Sequence, residues 1–337
     1  MTVALLLIAS FVAAWSLTGV ARWYALRRQI MDIPNQRSSH TAPTPRGGGV
    51  SIVILGLGAV AVAPLTGLLP TGDVIAVAGG GAIVALAGFL DDLADVRARW
   101  RFLMHVAGAA WLLIGLGAMP AVPVAPGLEL PWGAFAVVVA LLATVWLINL
   151  YNFMDGIDAL AAVQAITVAG PAALMLWLLD ATELAVLSAV IAAAAAGFLV
   201  WNRPPARIFM GDAGSGFLGY VFAALALVSH AHGGLTLWAW LILLGVFIVD
   251  ATVTLLRRML DGQAWYQAHS SHAYQHAARQ YGSHGRVALA TGAINLFWLT
   301  PLAAAAAAAP QWGAAVMIIA WLPLALLAWA YQAGKPA

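Results

Sequence analysis

Long apolar blocks run the length of this chain, separated by short polar stretches. A membrane-crossing helix needs about 20 mostly apolar residues, and about eleven blocks approach that length. They lie at roughly 3–21, 47–66, 74–90, 102–120, 132–150, 159–178, 184–201, 215–229, 237–256, 288–308 and 312–332. Backbone groups cannot stay unpaired in hydrocarbon, so the blocks predict helices. Those at 47–66, 74–90, 184–201 and 215–229 are short or glycine-rich, which predicts tilts and breaks. Together the blocks take up most of the 337 residues. The expectation is an all-α integral membrane protein with a single polytopic domain over residues 1–337.

Composition agrees with the membrane reading: 63% of residues are hydrophobic, only 8% are charged, and mean hydropathy is +0.92. The placement of charge adds orientation. Arg22, Arg27, Arg28, Arg37, Arg46, Arg97, Arg99, Arg101, Arg203, Arg207, Arg257, Arg258, Arg279, Arg286 and Lys335 all fall in alternate connections or the tail. The other connections carry Asp73, Glu129, Asp180 and Glu183 instead. By the positive-inside rule the basic connections face the cytoplasm. The N-terminus is then outside and the C-terminus cytoplasmic. The first block has no basic stretch ahead of it, which predicts a retained anchor rather than a cleaved signal peptide. The chain has no cysteine, which excludes disulfides, thiolate metal sites and a cysteine nucleophile.

Nine of the 13 carboxylates share the basic side: Asp32, Asp91, Asp92, Asp95, Asp155, Asp158, Asp212, Asp250 and Asp261. Carboxylates beside hydrocarbon are costly and usually functional. Asp91, Asp92 and Asp95 close one block, followed by Arg97, Arg99 and Arg101. A continuing helix puts Asp91 and Asp95 on one face. The cluster is either a solvated helix end or a site whose arginines hold an anionic substrate. Asn149, Asn152, Asp155 and Asp158 recur every third position. On a helix that row drifts by about 60° per step, so Gly156 is expected to break the helix and let the side chains converge. Their oxygens suit a hard cation such as Mg²⁺. A polar loop is the alternative.

Phe209-Met210-Gly211-Asp212 precedes a block, where backbone amides and a helix start favour an anion, or where the turn is simply tight. Phe209 either stacks on a base or anchors at the interface. His269, His272 and His276 are spaced to share a helix face, which suits a Zn²⁺ site, an anion site with neighbouring arginines, or an exposed amphipathic loop. Pro34 to Gly49 is basic and glycine-rich and includes Arg46, which suits a ligand or lipid headgroups. Carboxylates, Arg and His at a lipid boundary point to Mg²⁺-assisted transfer of a phosphate group between a lipid and a soluble substrate. A transporter using the carboxylates for ions is the competing class. Its site is expected near the midplane and its chain built from repeats, which the sequence does not show.

Four segments carry a resemblance over nearly the whole chain: Asp91-Asp92-x-x-Asp95, Asn149 to Asp158, Phe209-Met210-Gly211-Asp212 with Gly214-Ser215, and His272-Ala273-Tyr274-Gln275-His276. In order and spacing the chain resembles the polyprenyl-phosphate N-acetylhexosamine-1-phosphate transferases, which include the phospho-MurNAc-pentapeptide translocases. The His272–His276 stretch looks most like the branch that initiates O-antigen. That branch has an arginine where this chain has Ser270.

The resemblance implies transfer of a sugar 1-phosphate from a UDP-N-acetylhexosamine to undecaprenyl phosphate, with release of UMP, in a bacterial inner membrane. A peptidoglycan-type phospho-sugar transferase is the near alternative. The resemblance implies Asn152 and Asp212 as Mg²⁺ (or Mn²⁺) ligands and Asp155 in the metal shell. Asp158 would belong to the metal shell or the uridine site, and Asp91 and Asp92 would be the catalytic pair. Phe209 would stack on uracil, Arg101 would meet the pyrophosphate, and the His269, His272 and His276 loop would recognise sugar and phosphate. Arg46 is taken as a further substrate contact. No nucleic acid partner is implied, and a homodimer is suggested by analogy alone.

Overall fold

The computed structural model describes residues 2–34, 42–63, 70–94, 96–264 and 269–336. Arg37 and Asp95, each singled out by sequence, lie outside them. The described residues are mostly helical, with two short antiparallel hairpins among them pairing Met31–Asp32 with Thr44–Pro45 and Val122–Ala125 with Leu128–Leu130.

Among the described residues eight helices are long and apolar enough to cross a membrane. They are Val3–Arg28, Thr71–Ala94, Ala134–Met154, Leu160–Leu178, Thr182–Asn202, Asp212–Ala231, His284–Ala308 and Pro310–Ala330. The pair Leu237–Leu243 and Gly245–Leu260, bent by 76°, makes up to nine if it is one broken span. The other two expected positions hold Val50–Val62, which is shorter, and Ala98–Leu116, whose first turn carries Arg99 and Arg101.

Asp212–Ala231 is the centre of the bundle. Its apolar window is entirely buried, against 17% for Val3–Arg28 and 22% for Pro310–Ala330. The two outer helices turn Leu5, Ile8, Leu326 and Trp329 outward. Apolar side chains exposed in this density fit contact with hydrocarbon.

Small residues bring the inner helices together. A Cβ on Gly80 would strike the Tyr220 hydroxyl and the Gly108 carbonyl oxygen, and one on Gly219 would strike the Leu147 and Ile148 backbone. This is the close approach that small residues permit between membrane helices. Tyr220 donates its hydroxyl to the carbonyl oxygens of Ala76 and Val77, both at 3.1 Å.

The polar ends of the helices segregate. Arg22 donates from Nε to the Arg207 carbonyl oxygen (3.2 Å), beside the start of the central helix. At the other end of that helix, His232 Nε2 lies 2.5 Å from Asp73 Oδ2. The described tail returns to the basic end, where Gly334 N donates to Ser271 O at 2.7 Å.

Candidate active site

Four helix termini meet at the basic end: the last turns of Thr71–Ala94 and Ala134–Met154 and the first turns of Ala98–Leu116 and Asp212–Ala231. Arg101 ties two of the clusters together. Its Nη1 donates to Asp91 Oδ2 and, at 2.9 Å, to Asp212 Oδ2. Asn152 Nδ2 donates to Asp212 Oδ1 (2.8 Å) and Ser215 Oγ (3.1 Å). Asp212 therefore joins its own sequence cluster to the two that carry Arg101 and Asn152.

Asp92 has a different task. Its two oxygens accept the backbone N–H groups of Asp212 (3.0 Å) and Ala213 (3.2 Å). A helix start leaves such donors unpaired and carries partial positive charge. The anion expected at this glycine-rich turn is thus supplied by the chain itself. Two glycines make room for it. Gly211 has φ +79, and a Cβ there would lie 2.6 Å from the Asp92 carboxylate. A Cβ on Gly88 would meet the Asp212 carbonyl.

A cavity of about 200 Å³ opens beside these groups. Arg46, Asp92, Asn152, Asp155, Asp158, Phe209 and Asp212 all line it. The helix breaks at Met154, as Gly156 suggested, and this lets Asn152, Asp155 and Asp158 face one space. Asn149 does not join them, since its amide turns back to the Val145 carbonyl oxygen at 2.7 Å. Arg46 and Phe209 come together through the backbone: Phe209 N donates to Pro45 O (2.8 Å) and Gly48 N to Phe209 O (2.9 Å). Asp158 is largely committed, accepting from Ala206 N at 3.1 Å and lying 3.4 Å from His284 Nδ1.

Burial, together with the nearby Asp212, Asp92 and Asp158 charges, pushes the Asp155 carboxyl well above the usual range. Oxygen donors that repel one another in this way fit a hard divalent cation, which would relieve the repulsion. Among the described residues no three His, Cys, Asp or Glu side chains stand as a ready-made metal cage. Asn152 and Arg101 occupy the space between the carboxylates instead.

The histidine row does not lie on one helix face. The helix spans Ala273–Tyr281, with His272 at its N-cap position and His269 before it. Asp250 sets that start by accepting from Ala273 N (2.9 Å) and Tyr274 N (3.0 Å). His272 is buried 3.4 Å from Asp250, and His276 Nε2 faces the Lys335 carbonyl oxygen at 3.3 Å. The Zn²⁺ alternative therefore finds no ligand set among the described residues. Burial, with His272 and Arg258 nearby, lowers His269 to about 4, so it is neutral at neutral pH.

None of the three histidines lines the cavity; Gln275 and His284 from the same region do, along with Asn202 and Asp32. His284 had a readable signal. Gly282 (φ +59) ends one helix, and Ser283 caps the next by accepting from Arg286 N at 3.3 Å. Gln275 is held by its own N-cap, where His272 N donates to Gln275 Oε1 at 3.1 Å.

The chain is similar to known proteins over most of its length. The model of glycosyl transferase family 4 matches residues 74–230, which contain Asp91, Asp92, Arg101, Asn152, Asp155, Asp158, Phe209 and Asp212. A Bacillus subtilis (strain 168) protein named a probable undecaprenyl-phosphate N-acetylglucosaminyl 1-phosphate transferase is 32% identical over 291 residues, spanning 84% of this chain and 78% of its own. A Mycobacterium tuberculosis (strain CDC 1551 / Oshkosh) protein named decaprenyl-phosphate N-acetylglucosaminephosphotransferase is 30% identical over 335 residues, spanning 89% and 82%. A phospho-N-acetylmuramoyl-pentapeptide-transferase of Picosynechococcus (strain ATCC 27264 / PCC 7002 / PR-6) is 33% identical over 227 residues, spanning 62% and 58%. With similarity running through both the carboxylate clusters and the spans between them, the chain belongs to glycosyl transferase family 4.

Proposed function

We propose that this chain transfers N-acetylhexosamine 1-phosphate from a UDP-sugar to undecaprenyl phosphate, releasing UMP and starting a cell-envelope polysaccharide. The observation that carries this reading is the convergence of Asp91, Arg101, Asn152, Asp155, Phe209 and Asp212 at one polar end of an apolar bundle. The site at one end favours a transferase over a transporter, whose site lies near the midplane. The two relatives named for N-acetylglucosamine transfer span 84% and 89% of the chain, and the peptidoglycan-type relative 62%. This favours the former type. The one-sided distribution of arginines supports a basic end at the cytoplasmic face of a bacterial inner membrane, with the N-terminus outside.

In the proposed reaction a phosphate oxygen of the lipid attacks the sugar-bearing phosphorus in line. The bond to the bridging oxygen breaks, and UMP leaves with that oxygen and its electron pair. The lipid phosphate has a second pKa of about 6, so little general-base help is needed. Asp91, held by Arg101, positions this nucleophile. Asp212 and Asn152, with Asp155 beside them, would hold Mg²⁺. When bound, Mg²⁺ would offset the charge that develops on the departing phosphate. Arg101 and Arg46 neutralise substrate phosphate, and Phe209 stacks on uracil.

The test is UMP release in proteoliposomes containing undecaprenyl phosphate, with a panel of UDP-N-acetylhexosamines. One of them is expected to yield UMP with Mg²⁺ and none with EDTA. Failure with every sugar overturns the reading. Phe209→Ala is expected to raise KM for the UDP-sugar about tenfold or more with kcat less affected, since base stacking is worth about 1–3 kcal/mol. An unchanged KM would remove Phe209 from the nucleotide site.

The raised Asp155 carboxyl adds a pH dependence. A group that holds its proton to unusually high pH must release it before it can serve a metal. The Mg²⁺ concentration at half-maximal rate is therefore expected to rise as pH falls, by up to about tenfold per unit for one proton. A requirement independent of pH would contradict this coupling.

A further inference from the structure

A second cleft, of about 510 Å³, lies between the helices Gly245–Leu260, Ala273–Tyr281, His284–Ile294 and Gly313–Ala330. Its lining is mostly apolar and includes Val246, Ile294, Leu324 and Leu327. Three of the four helices around it belong to candidate spans or the bent pair, so it opens among groups that face hydrocarbon. Its lining holds one carboxylate and one arginine; the carboxylate, Asp250, is buried and committed to Ala273 N, Tyr274 N and His272. Arg286 lines the cleft, is exposed, and has no side-chain partner among the described residues. The neighbouring arginines are engaged: Arg279 Nη2 donates to the Ser270 carbonyl oxygen (2.9 Å), and Arg257 lies 4.1 Å over the Trp329 ring. Tyr281 and Tyr331, also lining the cleft, join hydroxyls at 2.6 Å. One hydroxyl donates to the other, which leaves one phenolic hydrogen free.

We infer that this cleft binds a membrane phospholipid with an anionic headgroup, its acyl chain along the apolar lining and its phosphate on Arg286. A mostly apolar slot with a free guanidinium in its lining is complementary to such an amphiphile, since arginine pairs with phosphate through parallel N–H donors. The cleft is not part of the catalytic cavity. The first turn of Ala273–Tyr281 separates them, pinned on one side by Asp250 and on the other by Tyr274, whose hydroxyl donates to the Phe153 carbonyl oxygen at 3.0 Å. A phosphate on Arg286 therefore stands apart from Asp155 and Asp212, and the occupant is a bystander lipid, not the acceptor. This assignment rests on the membrane setting and is independent of the transferase reading.

The test is native mass spectrometry of the purified full chain titrated with phosphatidylglycerol or phosphatidylcholine. The wild type is expected to bind one phosphatidylglycerol in preference to phosphatidylcholine. Arg286→Gln is expected to weaken phosphatidylglycerol about tenfold, the factor of a hydrogen bond to a charged group, and to leave phosphatidylcholine unchanged. Arg286→Lys keeps the charge and is expected to keep most of the preference. Ala290→Phe, which fills the cleft, is expected to remove bound lipid; Leu327→Trp serves if that variant fails to fold. Equal binding of the two lipids by the wild type, or an unaltered preference in Arg286→Gln, overturns the site. Displacement of phosphatidylglycerol by stoichiometric undecaprenyl phosphate would assign the cleft to the acceptor and also overturn it.

Discussion

Asp212→Asn is expected to cut UMP formation by on the order of a thousand-fold or more, the scale of losing a group that stabilises transferring phosphate. Asp212 is the carboxylate on which Arg101 and Asn152 converge, at 2.9 Å and 2.8 Å. Asparagine keeps the volume and removes the charge. The start of the central helix stays capped, because its amides are held by Asp92 and not by Asp212. The loss is therefore expected in protein that inserts, purifies as one species and melts near the wild-type temperature. Asn152→Ala is expected to show the same pattern for the opposite reason, as it removes the neighbour that holds Asp212 and Ser215. Near-wild-type UMP release from either variant would strike that residue from the metal-binding set.

Asp92→Ala is expected to act on the fold first. It leaves two backbone amides without an acceptor at the mouth of the central helix. Each unsatisfied buried donor costs about 1–3 kcal/mol, so a loss of about 3 kcal/mol is expected. Asp92→Asn keeps one acceptor oxygen and is expected to recover roughly half of that loss. Thermal unfolding and UMP release, measured on the same preparations, separate the possible roles. If Asp92 positions Asp212, turnover follows melting temperature across Ala, Asn and Asp. A large fall in kcat in Asp92→Asn at unchanged melting temperature would instead make Asp92 a reacting group.

The sequence carried much of this in two kinds of pattern. Apolar block length gave the helices, because hydrocarbon leaves the backbone little other choice. The three-residue spacing of Asn152, Asp155 and Asp158, with Gly156 among them, foretold a broken helix with converging side chains, and the break falls after Met154. What stayed hidden depends on contacts distant in sequence. Asp92 caps a helix 120 residues away, and Asp250 caps one 23 residues away. A cap lent by another helix leaves no local signature of the kind a capping box does. The histidine row was misread although this second start does carry a local sign, Gln275 three residues after the N-cap His272 and accepting from its N–H. Spacing alone places His269 and His276 on one face, but Asp250 holds the helix start at Ala273, so His269 falls outside the helix.

The wholly enclosed central helix inverts the usual map of tolerated change. On Val3–Arg28 or Pro310–Ala330, where most side chains meet hydrocarbon, one apolar residue can replace another of different size. On Asp212–Ala231 every apolar side chain in the window meets protein, and Gly214 and Gly219 sit where an added methyl would strike a neighbour's backbone. Closely packed interiors register even a single methylene. A saturation scan would therefore show hydrophobicity as the governing variable on the outer helices and side-chain volume on the central one.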